Sequence, residues 1–269
     1  MSKSRHAWLL VLVVGGVLFE VLRRTLVATQ NPNLIPALLL LGAAIVPAAF
    51  VTFIRGRRLT YTVDGGTTAA IAFVGGVIGI AAAGTLEFDT LRELGTVPML
   101  AVGLIEESAK LIAPLAVLLF TKHRRPADGL LIGVACGAGF AALETMGYAF
   151  VTLVQSQGNL AAVDGLLLLR GVLSPAAHMA WTGLTAAALW SAANHRWSLP
   201  SVARFLVTFV IAIGLHAAWD SLSSIAGYAV IGLVSLGLLT VAAHTLSRHE
   251  RRSAGPVALP IFGAAPRLP

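Results

Sequence analysis

The stretch VPMLAVGLIEESAKLIAPLAVLLFT, residues 97–121, decides how this chain must be read. It is long enough to cross a bilayer's hydrocarbon, which takes about 20 predominantly apolar residues, yet Glu106, Glu107 and Lys110 stand in its middle. A charged group at the bilayer centre costs roughly 2.5–3.5 kcal/mol on insertion scales. Either the run is not a span, or other helices compensate its charges.

The surrounding sequence supports the second alternative. Hydrophobic residues make up 57% and charged residues 12% of the chain, with a mean hydropathy of +0.84. Soluble domains carry about 25% charged residues, so a water-soluble protein is excluded. The predicted fold is all-α, a polytopic transmembrane bundle of about eight helices, with spans at 7–22, 33–54, 67–86, 97–121, 129–154, 165–192, 200–222 and 225–247. The first span is short, holds Glu20, and reads equally well as a signal anchor or a signal peptide. No segment between spans can build a core of its own. Residues 1–252 are therefore expected to form a single transmembrane domain, followed by a disordered cytoplasmic tail, 253–269, rich in Pro, Gly and Ala.

The net charge of +7 reads as topology and not as a nucleic-acid surface, because Lys and Arg cluster in short groups between apolar runs. Those groups are Lys3 and Arg5, Arg55 to Arg58, Lys122 to Arg125, Arg196, and Arg248 to Arg252. They fall on alternate loops and at both ends, which predicts both termini in the cytoplasm, with Arg23 and Arg24 the exception. Trp8, Trp190 and Trp197 would form an aromatic belt at the inner boundary. The single cysteine, Cys136, excludes an intrachain disulfide and a cysteine-based zinc site.

Ionisable residues continue through the next three spans: Glu144, then Arg170 and His178, then His216 and Asp220. Glu106 lies about nine residues, or roughly 14 Å, from the expected outer end of its span at about 1.5 Å per residue. Counted the same way, Glu144, His178 and His216 fall in the same outer half of the membrane, where one hydrated cavity can serve them all. Glu106 and Lys110 lie four apart on one face, Glu107 is three from Lys110, and His216 and Asp220 are again four apart. The last spacing lets a carboxylate orient an imidazole. Phe140 and Glu144 repeat the offset. Gly129, Gly133, Gly137 and Ala141 make a stripe of small residues that permits close helix contact and would hold Glu144 in place. Pro175 denies the Gly171 carbonyl its helical partner and predicts a kink just before His178. Asp128, after Pro126, is read as a helix N-cap, Glu87 to Glu93 as loop charges, and His6, His123, His195, His244 and His249 as residues of the cytoplasmic face.

Taken in order, EESAK (106–110), FAALE (140–144), RGVLSPAAH (170–178) and HAAWD (216–220) resemble the PrsW family of intramembrane proteases, related to the CAAX-type prenyl endopeptidases and bacteriocin-processing proteins. Those relatives usually end the second motif in His and the last in Asn, so Glu144 and Asp220 favour the PrsW branch. The resemblance implies peptide-bond hydrolysis in membrane-associated, single-span substrates, anti-sigma factors among them, in an inner cell membrane. It implies a site of Glu106, Glu107, Glu144, His178 and His216. It leaves open whether a metal takes part, since relatives are described both as metalloproteases and as metal-free glutamate proteases. A zinc ion would take His178, His216 and one glutamate, leaving a position for water. The residues themselves suggest Glu106 or Glu107 as general base, His178 as proton donor, His216 held by Asp220, Lys110 as a holder of the glutamates, and Arg170 either snorkelling or paired with Glu144. A proton-coupled transporter or ion pathway is the competing reading, because pumps also place Glu, His and Asp in mid-membrane.

Overall fold

The computed structural model describes residues 5–57 and 59–253. Among them are nine α-helices and no strand: α1 (Ala7–Thr29), α2 (Ile35–Arg55), α3 (Gly65–Leu94), α4 (Met99–Phe120), α5 (Pro126–Gln155), α6 (Leu160–Leu173), α7 (His178–Asn194), α8 (Leu199–Asp220) and α9 (Ile225–Ser253). Six helical segments are long and apolar enough to cross a membrane. Of the remaining long helices, α1 carries Glu20, Arg23 and Arg24, and α4 carries Glu106, Glu107 and Lys110. Leu10, Val13 and Val17 on α1, Phe73 on α3, Leu168 on α6, Val210 on α8 and Leu233 on α9 are all exposed. An apolar surface on that scale is matched by lipid and not by water.

Helix α5 is the hub, packed against α2, α3, α4, α6 and α7. Its glycines explain the closeness. A Cβ added at Gly129 would come 2.7 Å from the Trp190 ring, and one at Gly137 would come 2.5 Å from the His178 carbonyl oxygen, so α7 seats directly on the α5 backbone. On its other side, Gly139 meets Gly76 and Ala72 of α3.

The span expected at 165–192 is broken in two. A 3₁₀ turn, Ser174–Ala176, separates α6 from α7, so that His178 is the first residue of α7. The Gly171 carbonyl that Pro175 cannot satisfy accepts the Ser174 hydroxyl at 3.0 Å. The break therefore leaves no orphaned acceptor there.

Four expectations need correction. Helix α3 runs on to Leu94, so Glu87 to Glu93 lie on its last turns and not in a loop. Helix α1 likewise extends to Thr29, where Arg23 pairs with Asp164 at 2.7 Å and Arg24 with Glu20 at 2.6 Å, which accounts for the charges that broke the loop pattern. Asp128 is not the N-cap of α5. Arg125 holds that position, and Asp128, fully buried, accepts from the Arg125 amide at 3.2 Å and from the Thr62 amide and hydroxyl at 2.6 and 2.7 Å. Trp190 is a core residue and not a belt residue, its indole N–H bonded to the His123 carbonyl at 2.8 Å. The tail expected from residue 253 lies, from 254 onward, outside the described residues.

Candidate active site

Helix α4 supplies the centre of the site because its three charges fall on the face turned towards α5, α7 and α8. Lys110 is fully buried, with Nζ 2.8 Å from Glu107 Oε1 and 3.0 Å from Glu106 Oε2. It also stands 2.7 Å from His178 Nδ1 and 4.2 Å from the centre of the Phe140 ring. An ammonium can only donate, so His178 Nδ1 accepts and its Nε2–H is left to donate to Glu144 Oε2, 3.0 Å away. Glu144 is fixed from behind by Arg170, whose Nη2 donates to Oε2 at 2.6 Å while its Nε donates to Thr145 at 3.2 Å. Arg170 is thus a partner of Glu144 and does not snorkel away.

His216, also buried, closes the cluster from α8. Its Nδ1 donates to Glu107 Oε1 at 2.8 Å, and its Nε2 faces Asp220 Oδ2 at 3.2 Å and Glu106 Oε2 at 3.5 Å. Trp181 stacks on the imidazole at 4.9 Å between ring centres and donates its N–H to Ser235 at 2.9 Å. Every site residue expected from the sequence, Glu106, Glu107, Lys110, Phe140, Glu144, Arg170, His178, His216 and Asp220, is brought into this one network. The two glutamates of the pair differ. Glu106 lines a cavity of about 390 Å³ shared with Glu144, His178, Arg170 and Asp220, whereas Glu107 is sealed behind it.

Three contributors were not foreseen. Trp181 could have been found, since it lies three residues after His178 and so shares its helix face. Thr145 is visible only once Arg170 is seen to reach it. Glu87 lines the cavity from α3, and no sequence signal distinguished it from a loop charge.

The donor set suits a divalent cation. Glu106, His178 and His216 each offer a ligand atom, all within 4.8 Å of one another. Ligands about 2.0–2.2 Å from a tetrahedral zinc stand about 3.3–3.6 Å apart, near the 3.5 Å between Glu106 Oε2 and His216 Nε2. Glu106 Oε2 is buried and accepts no well-aligned hydrogen bond, although Lys110 Nζ is close by. Glu107 on His216 Nδ1 is the outer carboxylate that metal-binding histidines use to fix their ring. Both nitrogens of His178 are engaged, so an ion here competes with Lys110 or with Glu144 for one of them.

Fold and site together define a multi-pass membrane protein whose polar chemistry is enclosed by its own helices. The model of the PrsW family intramembrane metalloprotease matches residues 36–245, and the chain belongs to that family of membrane proteases. The match begins at α2 and runs into α9, so it includes every helix that contributes to the cluster. No curated protein and no solved structure matches the chain.

Proposed function

We propose that this chain hydrolyses peptide bonds of membrane-associated polypeptides in the α4–α8 cavity, with Glu106 as the general base. The observation that carries this reading is the meeting of Glu106 and His178 at the wall of one cavity inside an apolar bundle, with the buried His216 3.5 Å from Glu106. Glu106 takes a proton from water as its oxygen attacks the scissile carbonyl. As an imidazolium, with Nδ1–H on Glu107, His216 donates its Nε2–H to the oxygen that becomes negative. His178, 4.0 Å from Glu106 and held by Glu144, relays the proton that Glu106 took up, its Nδ1 receiving one as its Nε2 releases another to the departing amine. Glu107, Lys110, Phe140, Arg170 and Asp220 position these three and balance their charge.

When bound by Glu106, His178 and His216, a zinc ion would polarise the carbonyl and acidify water. The arrangement of lysines and arginines supports both termini in the cytoplasm of an inner cell membrane, with residues 1–252 as one domain. The family supports single-span membrane proteins, anti-sigma factors among them, as substrates.

Co-expression with tagged single-span proteins tests the proposal. A truncated fragment should appear with the unaltered chain and vanish with Glu106→Ala and His178→Ala. The same fragment in both variants, or proton flux in liposomes without any proteolysis, would move the site from hydrolysis to transport.

A further inference from the structure

Most charged groups around the cavity have their partner within the protein. Glu106 has Lys110, Glu144 has Arg170 and His178, and Asp220 has His216. Glu87 is different. It lines the same cavity, its Oε1 is buried, and among the described residues it makes no hydrogen bond or ion pair. The one arginine of the cavity wall, Arg170, is already committed to Glu144, Thr145 and the Tyr148 ring. Lys110 is sealed behind Glu106. The wall therefore carries an acid that nothing in the protein neutralises, in surroundings where an unpaired charge is costly.

Its place on the chain argues that this is not a stray surface acid. Helix α3 touches the site through Gly79, where an added Cβ would meet the Phe140 ring at 2.9 Å. Two helical turns further on, α3 presents Glu87 at the cavity while the neighbouring Phe88 is exposed. A carboxylate in that position is complementary to a cation that arrives with the substrate.

We propose that Glu87 is a specificity-determining residue, forming a subsite that binds a positively charged Lys or Arg side chain of the substrate close to the scissile bond. The inference rests on the proteolytic reading above. Because the cavity is open on one side and solvent screens the pair, the preference is set at about tenfold, equivalent to about 1.4 kcal/mol.

The test uses the full-length chain in liposomes with a pool of single-span polypeptides that differ only by Lys, Gln or Glu at each position flanking the span centre. Mass spectrometry of the products gives the cleavage ratio of Lys to Gln at every position. The unaltered chain should favour Lys over Gln about tenfold at one position and disfavour Glu there. In Glu87→Gln the ratio should fall to about one, and in Glu87→Lys the preference should turn towards Glu. Because each ratio is internal to one preparation, a partly folded variant still reports it. Cleavage without a Lys preference, or a preference that persists in Glu87→Gln, overturns the subsite alone. If the unaltered chain cuts no member of the pool beyond the level of Glu106→Ala, the protease reading fails and takes the subsite with it.

Discussion

Replacing Gly137 by alanine tests whether the α5–α7 contact sets the position of His178. The new Cβ would lie 2.5 Å from the His178 carbonyl oxygen and 3.0 Å from its carbonyl carbon and from Met179 Cα. A relaxed C···O contact is about 3.3 Å or more, so the helices must part by about 0.8 Å at the residue that begins α7. Overpacking of this kind costs about 1–3 kcal/mol. Alanine's helix preference over glycine returns about 0.5–1 kcal/mol, leaving the variant less stable by about 0–2.5 kcal/mol. The effect on catalysis should be larger, because a displacement of about 1 Å in a positioned group costs about 10²-fold in rate. Gly147→Ala, on the same helix but with nothing within 4 Å of the added methyl, is the control and should gain stability without losing cleavage. Thermal unfolding in detergent and reporter cleavage would be measured on both. Equal activity in the two variants would refute the argument that the glycine stripe positions the histidine.

Other outcomes follow from the same network. Lys110→Met strands two carboxylates in the interior and should cost about 3–5 kcal/mol; adding Glu107→Gln should recover part of the stability in a denaturation curve while leaving the protein inactive. Arg170→Gln frees Glu144 and with it His178, and should slow reporter cleavage about 10- to 100-fold, whereas Thr145→Val should have a much smaller effect. His216→Ala should abolish cleavage whether or not a metal takes part, and full activity in that variant would count against the assignment. Metal analysis separates the two hydrolytic schemes: one bound ion per chain, absent from His178→Ala and His216→Ala, is the result expected of the ligand set, and undiminished cleavage after exhaustive chelation is the result expected of Glu106 working on water alone.

How much of this protein could be read without coordinates is clearest from individual residues. Charges at Glu106, Glu107 and Lys110 inside a membrane-length run could not be left alone at such energetic cost, so they demanded partners, and only the next three spans carried them. Spacing of three and four then fixed which residues share a helix face. Pro175 announced the break before His178, and the small-residue stripe announced a close helix contact on α5, though not that α7 makes it. Spacing along one helix, however, is silent about what faces it from another. The sequence did not reveal that Lys110 reaches His178 as well as both glutamates, that Glu107 is the buried partner of His216 while Glu106 meets the cavity, or that Trp181 backs the imidazole.

Glu87 shows the limit most plainly. A charge near the end of an apolar run has the same sequence appearance in a solvated loop as on the last turns of a helix. One-dimensional information settled which groups had to be neutralised, because the desolvation penalty belongs to each residue alone. Who neutralises whom, and which carboxylate is left over, was decided by tertiary structure, because electrostatic pairing depends on distances between helices that the chain order does not contain.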